Sequence, residues 1–493
     1  MNLNAQTLAQ ARNAVLPDYV PTDHGIGIVH LGLGAFHRAH QAWYTHKALA
    51  KAGGDWRIAA VSLRSTETAH ALGAQDGLYC LEECDAAGTC TSVIGSIACA
   101  LSLREARSDV EALLTSQACR IITLTVTEKA YYYNAALGTV DLEHPDIRND
   151  LANREQAATM PGLLVHTLDQ RRKAGCGGLS ILSCDNLPDN GKVTRAVILS
   201  MARASDPALA DWIDEAVAFP SSMVDRITPA VTPAFLDQIE ARTGLRDAAA
   251  IQTETFAQWV IEDDFPRGRP AWEKVGALLV KEVAPYENMK LRMLNGSHSL
   301  LAYAGHVAGL PTVKSCMGNE TLRALLERHF ATAASTLKPL PGVDYQDYAA
   351  ALAARFDNPN IVHKTYQIAM DGSQKMPQRI FAPTLELLAQ GTDFTTYAFA
   401  IAAWLRYAKG RTEAQADYAL RDPLEDAISH SLRECSTARS VLAAITGLSG
   451  LVPEALAENT VWSTQVEAYL DAILNQGMLG AAKQILDNQR PYA

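Results

Sequence analysis

Four short runs of aliphatic and β-branched residues punctuate the first half of the chain: Ile26–Leu31 (IGIVHL), Ile58–Leu63 (IAAVSL), Arg120–Thr127 (RIITLTVT) and Gly178–Ser183 (GLSILS). Each is too short for a typical helix, and strands buried on both faces carry such continuous apolar character. Between them, His37–Ala50 and Pro161–Gly175 have helical composition, the latter ending in Arg171, Arg172 and Lys173, where cations suit the helix dipole. Strands alternating with helices predict a mainly parallel sheet covered on both sides. Leu209–Val217 and Pro233–Thr243 read as further helices, and Trp259–Val275, with two prolines, as an irregular connection. From Tyr286 onward the pattern is helical: Tyr286–Val307, Glu320–Thr336, Tyr348–Phe356, Pro383–Gln390 and Tyr397–Ala408, with a break at Lys338-Pro339-Leu340-Pro341-Gly342. The expected architecture is an α/β domain over 1–285 followed by a mostly α-helical domain over 286–493.

The first run leads into Gly32-Leu33-Gly34 and then a helix, the opening unit of a dinucleotide-binding fold. The third fingerprint glycine is missing, because His37 stands there, and G-x-G alone is a weak signal. The positions of the other polar groups strengthen it. Gly32 and Gly34, Thr127-Glu128, and Asp185-Asn186 all fall at carboxyl ends of predicted strands, where open α/β sheets bind ligands. Ala35, Phe36 and His37 then belong to the helix start beside a cofactor pyrophosphate. His37 and His40 give H-x-x-H, but no further zinc ligands are signalled.

The densest chemistry lies in Tyr286–Tyr303, YENMKLRMLNGSHSLLAY. In a regular helix, at roughly 100° per residue, Glu287, Lys290, Asn295 and His298 fall within an arc of about 140°. A lysine in a cleft loses its charge more easily, because desolvation disfavours the ammonium, and it can then serve as a general base towards an alcohol. Asn295 and Asn186 are neutral amide donors that can hold an oxygen as it turns from alcohol to carbonyl. Glu287 sits one turn before Lys290 and can tune it or form an ordinary i,i+3 pair. His298 can bond a neighbouring hydroxyl. Asp371-Gly372-Ser373-Gln374-Lys375, with Arg379 beyond, reads either as a solvated loop or as a substrate clamp.

Composition narrows the partners. A formal net charge of −11 argues against nucleic acid or an anionic membrane. The odd number of scattered cysteines, with no C-x-x-C pair, suits reduced thiols in the cytoplasm. No basic-then-apolar leader opens the chain, and its most apolar helical run, Tyr397–Leu405, is too short to span a bilayer. The expected partner is therefore a small molecule, and the expected state a monomer or small homo-oligomer.

Together LGLGAFHRAHQAWYT, TLTVTEKAYY, LSCDNLPDNG, FPSSMVDRITP, WVIEDDFPRGRPAWEKVG, MKLRMLNGSHSLLAY and MDGSQKMPQR resemble the polyol-specific long-chain dehydrogenases, the mannitol dehydrogenase family, from about residue 26 to the C-terminus. The resemblance implies a zinc-independent enzyme that uses a nicotinamide cofactor on a Rossmann-like domain, with the catalytic site where the two domains meet. It implies Lys290 as general acid/base, Asn186 and Asn295 as oxyanion donors, His298 and Lys375 as substrate contacts, and Glu287 as a proton channel. Gly32, Gly34 and Phe36 become the phosphate turn. The acid that would bind the ribose and select NAD falls nearest Glu67, while Arg64 keeps NADP open. Gln367 stands where mannitol dehydrogenases have arginine, and Arg292 is an added cation two residues after the lysine. These departures resemble the fructuronate reductase branch, whose substrate carries a carboxylate. The expected reaction is then the interconversion of D-mannonate and D-fructuronate, with Arg292 or Arg379 meeting the carboxylate. Alternatives of the same chemistry are mannitol, arabinitol or tagaturonate as substrate. A non-catalytic nucleotide-binding protein would have no need of Lys290, Asn295 and His298 together.

Overall fold

The apolar runs of the first half become strands. In the computed structural model, which describes residues 1–487, β1 (Ile26–Leu31) and β2 (Arg57–Ser62) run parallel, Ile28 opposite Ile58 and Leu31 opposite Val61. The chain continues through β3 (Tyr79–Asp85), β4 (Gly88–Ile94), β5 (Ile97–Ser102), β6 (Ile121–Leu124), the short pair β7 (Tyr133–Asn134) and β8 (Thr139–Val140), and β9 (Ser180–Ser183). One parallel sheet has the order β5-β2-β1-β6-β9. From β1 the chain runs outward to β2 and β5, then returns to β6 and β9 on the other side. The crevice at the carboxyl ends of β1 and β6 is the topological switch point where such sheets bind ligands.

Alternation along the strands fills two cores. Val29, Leu31, Ala59, Val61, Ile122, Leu124 and Ile181 join one, whereas Ile28, Ile58, Ala60, Ile121 and Leu182 join the other. Both faces are dry, which is why the runs read as continuous rather than alternating.

Two smaller sheets lie in the same unit. One is completed by β10 (Ser222–Asp225), β12 (Gln258–Glu262) and β13 (Leu278–Val280), and in the other β11 (Ile251–Glu254) joins β3 and β4. The stretch from Trp259, expected to be irregular, thus begins as a strand. Trp259, Val260 and Ile261 are fully buried, and the prolines at 266 and 270 fall beyond its end, so nothing interrupts the ladder. After the glycine turn the expected single helix is divided into α1 (Ala35–Ala39) and α2 (Gln41–Ala52), because His40 leaves the helical backbone at φ −120°, ψ −83°.

The chain divides into two compact units, Met1–Ala284 and a second that begins at Pro285. The second is helical. Its centre is Thr395–Tyr407, buried along nearly its whole length and packed against Gly296–Val307 and Thr460–Asp487. The apolar run that is too short for a bilayer is this core helix. Among the described residues no helix is long and apolar enough to cross a membrane.

Tyr286–Val307, expected as one α-helix, consists of an α-helix Ala284–Met289, a π-helical turn Lys290–Asn295 and an α-helix Gly296–Val307. A second π-helical turn, Pro377–Phe381, packs against the first. π-turns are rare and favour functional sites. Both here carry residues singled out for chemistry.

Candidate active site

In the first unit the polar groups gather at strand ends. Gly32 has φ +107°, and a Cβ there would lie 2.1 Å from the Thr125 carbonyl oxygen, so only glycine fits. The turn is braced from below. His30 Nδ1 meets Thr123 Oγ1 at 2.8 Å, and its Nε2 lies 3.1 Å from the Gly32 carbonyl and 3.0 Å from Thr125 Oγ1. Burial holds the His30 pKa down to about 3, so the ring stays neutral beneath the turn. Gly32, Gly34, Ala35 and Phe36 remain partly open. These features fit a dinucleotide pyrophosphate, which needs close approach to the backbone.

His37 does not share that exposure. It is fully buried and stacks on His30, with ring centroids 3.3 Å apart. It is a wall under the turn, because the first turn of α1 rotates its side chain into the core rather than towards the sheet end. Arg38, which the sequence reading passed over, is also buried and donates from Nε to the Gly34 carbonyl at 3.3 Å.

Thr127 and Glu128 are exposed, and Thr127 has φ +75°, a strained backbone for a β-branched residue. Asp185, after β9, holds it there. Its carboxylate accepts the Val126 N–H at 3.1 Å, the Thr127 N–H at 2.8 Å and the Tyr131 hydroxyl at 2.8 Å. Burial raises the pKa of Asp185, which those hydrogen bonds oppose. Asn190 ties down the same loop, donating to the Asp185 carbonyl at 3.0 Å and the Ser222 carbonyl at 2.7 Å. Asp185 and Asn190 thus position the exposed Asn186. Nothing in the string CDNLPDNG distinguishes the one asparagine from the other.

In the second unit, Glu287, Lys290, Asn295 and His298 are all partly buried. The π-turn changes their phasing. With i→i+5 hydrogen bonding, shown by the Gly296 N–H on the Leu291 carbonyl, the wider turn brings residues five apart closer in angle than an α-helix does. Lys290 and Asn295 therefore share one face instead of opposite edges of a broad arc. His298 stacks on Phe356 at 4.5 Å and stands edge-on to His363 at 5.8 Å.

The two candidate arginines have opposite surroundings. Arg292 donates from both terminal nitrogens to Glu386, at 2.6 Å each, and from Nη1 to the Thr336 carbonyl at 2.8 Å. Its fork is engaged by Glu386 within its own unit. Arg379 pairs with no carboxylate among the described residues. Its contacts are long and neutral: the Asn295 carbonyl at 3.5 Å and Ser299 Oγ at 3.3 Å. Desolvation pulls its pKa down.

Lys375 lies near, with Nζ donating to the Met370 carbonyl at 2.6 Å and the Ile368 carbonyl at 3.2 Å, while Asp371 stands off at 3.8 Å. Its pKa is lowered by burial first and by Arg379 second. The loop before it is fixed by Gly372, where a Cβ would meet Trp404 Nε1 at 2.7 Å and the Tyr303 hydroxyl at 2.9 Å. Gln367 is exposed on the helix Thr365–Ala369.

Residues 26–274 match the mannitol dehydrogenase Rossmann domain, and residues 282–474 match the mannitol dehydrogenase C-terminal domain. The chain belongs to the mannitol dehydrogenase family. It is 41% identical over 457 residues to the D-mannonate oxidoreductase of Escherichia coli K12, covering 91% of this chain and 93% of that one. It is 37% identical to a mannitol 2-dehydrogenase of Phaeosphaeria nodorum, over 86% of this chain and 76% of that protein. Among solved structures, the Pseudomonas fluorescens mannitol 2-dehydrogenase ternary complex with NAD and D-mannitol matches with TM-score 0.85 at 35% identity, over 99% of this chain and 100% of that one. This chain is an oxidoreductase of that family, with a Rossmann-like domain followed by a helical one. Among the described residues no group of three or more His, Cys, Asp or Glu side chains is arranged to hold a metal ion.

Proposed function

We propose that the protein is an NAD-dependent oxidoreductase acting on a secondary alcohol of a sugar acid, and that it interconverts D-mannonate and D-fructuronate. The observation that carries the sugar-acid reading is the pair Arg379 and Lys375. Burial and the neighbouring Arg379 lower the pKa of Lys375, and Asp371, at 3.8 Å, and Asp422 only partly oppose them. A substrate carboxylate would relieve that repulsion and fill the Arg379 fork with charge-assisted hydrogen bonds. A polyol would not.

Gly32, Gly34, Ala35 and Phe36, with Thr127 and Glu128, are the residues that would hold the cofactor. When bound, NAD supplies the hydride acceptor. In oxidation, neutral Lys290 takes the proton of the reacting hydroxyl. The side-chain N–H groups of Asn295, and of Asn186 as its implied partner, donate to the same oxygen and stabilise it through the change from alcohol to carbonyl. In reduction, protonated Lys290 returns the proton. Glu287 relays it towards solvent, and His298 bonds a neighbouring hydroxyl.

The test is Lys290→Ala measured with D-mannonate and NAD. General acid–base catalysis contributes roughly 10²–10⁴-fold, so turnover should fall by that amount with NAD affinity intact. Near wild-type turnover would end this mechanism. A substrate panel of D-fructuronate, tagaturonate, D-fructose and arabinitol-derived ketose decides the sugar. Turnover of fructose without fructuronate would overturn the sugar-acid assignment.

A further inference from the structure

The turn before Lys375 is held in an unfavourable shape. Asp371 has φ +56° and Arg421 φ +52°, left-handed backbone that residues with a Cβ adopt at a cost. The two are joined directly, the Asp371 N–H donating to the Arg421 carbonyl at 3.2 Å. Such conformations persist only where the surroundings over-determine them, and they favour functional sites.

Asp422 supplies the constraint. Its Oδ2 accepts the Ser373 N–H at 2.7 Å, and its Oδ1 accepts the Ser373 hydroxyl at 2.5 Å and the Leu424 N–H at 2.9 Å. Ser373 lies in the first turn of the short helix Gly372–Met376, whose N-cap, Asp371, makes no side-chain capping hydrogen bond. Asp422 thus does from 49 positions away what an N-cap side chain does locally. Glu425 fixes the Asp422 segment in turn, accepting the Leu420 N–H at 2.8 Å and the Arg421 N–H at 2.9 Å. Gly372, between Asp371 and Ser373, is pressed against Trp404 and Tyr303.

Lys375 depends on that turn twice. Its backbone N–H donates to the Asp371 carbonyl at 3.1 Å, and its Nζ is seated on the Ile368 and Met370 carbonyls, just before the turn. A flexible four-carbon stem does not fix an ammonium by itself, so moving the turn moves the charge. We propose that Asp422 is a positioning residue of the substrate site, which by gripping Ser373 fixes the turn that seats the Lys375 ammonium. The inference rests on Lys375 meeting substrate, as in the function proposed above.

The first measurement is acylation of the full-length protein by acetic anhydride, followed at Lys375 by peptide mass spectrometry. In Asp422→Asn the amide keeps the shape but turns an NH2 towards donors that the carboxylate accepted. Lys375 should acylate about tenfold faster than in wild type, the fold-change for one charge-assisted hydrogen bond lost, with the other lysines unchanged. Ser373→Ala, which loses only the hydroxyl contact, should give a smaller rise, and the double variant no more than Asp422→Asn alone. The second measurement is NADH oxidation. The KM for D-fructuronate should rise about tenfold in Asp422→Asn, with kcat and the KM for NADH within about twofold of wild type. A merely structural role would lower the melting temperature and move neither the Lys375 rate nor the KM, and that result would overturn the proposal. If Asp422→Asn does not fold, Ser373→Ala decides by the same readouts. A wild type that turns over no hexuronate would end the sugar-acid function and leave the Lys375 rate to decide this inference. Normal hexuronate turnover with a wild-type Lys375 rate in Asp422→Asn would sink the inference alone.

Discussion

Replacing Arg379 by glutamine separates substrate recognition from stability. The guanidinium has long contacts to the Asn295 carbonyl and Ser299 Oγ and no acid partner among the described residues. Each hydrogen bond to a charged group is worth about 1.5–3 kcal/mol. Glutamine keeps one donor and the partly exposed site is partly screened, so a net loss of about 3 kcal/mol is expected, roughly a hundredfold in kcat/KM for D-fructuronate. The loss should fall on KM, because the carboxylate is bound equally in ground and transition states. Reduction of D-fructose, which has no carboxylate, should change by less than about threefold. Stability should move the other way. A cation held without an anion costs desolvation, so Arg379→Gln should melt no lower than wild type. Arg292→Gln should show the opposite pattern. It breaks the Glu386 fork, whose acid side chain is 43% exposed, for about 1 kcal/mol of stability and no change in the fructuronate-to-fructose ratio. The assay is NADH oxidation over a substrate series for the three proteins, with melting curves. An unchanged fructuronate KM in Arg379→Gln, or a selective loss in Arg292→Gln, would refute the reasoning.

Other predictions address the scaffold. Gly32→Ala would drive a Cβ to 2.1 Å from the Thr125 carbonyl at φ +107°. A cost of about 1–3 kcal/mol from backbone strain alone, together with lost NAD affinity, should appear in melting and in titration. His30 and His329 are buried neutral, with pKa values held to about 3 by desolvation. Because the folded pKa lies below the unfolded one, their stability contribution is complete above about pH 6.5 and falls by about 1.4 kcal/mol per pH unit for each ring below it. Melting temperature should drop steadily from pH 6.5 towards pH 3, and a flat profile would contradict the burial argument. Dialysis against a chelator should leave turnover unchanged. A loss restored by added zinc would contradict the lysine-based mechanism.

Much of the scaffold was legible in the residues. β1, β2, β6 and β9 were readable because a strand buried on both faces must be apolar at nearly every position, as IGIVHL and IITL are. β5 was not, because its sequence IACALS mixes small residues that serve equally in a helix. The strand hidden in the Trp259 segment was masked by prolines that lie just after it.

The chain alone determined that Lys290, Asn295 and His298 stand at short fixed spacing in the second domain, and that a two-glycine turn follows the first strand. Spacing is a local property and survives any packing. Tertiary structure decided the rest. It wound Lys290–Asn295 as a π-turn packed against the turn at Pro377–Phe381. It turned His37 into the core. It paired Arg292 with Glu386, ninety-four positions away in sequence, and gave Arg379 no carboxylate partner among the described residues, because the pairing of a cation is settled by whichever acid lies across from it.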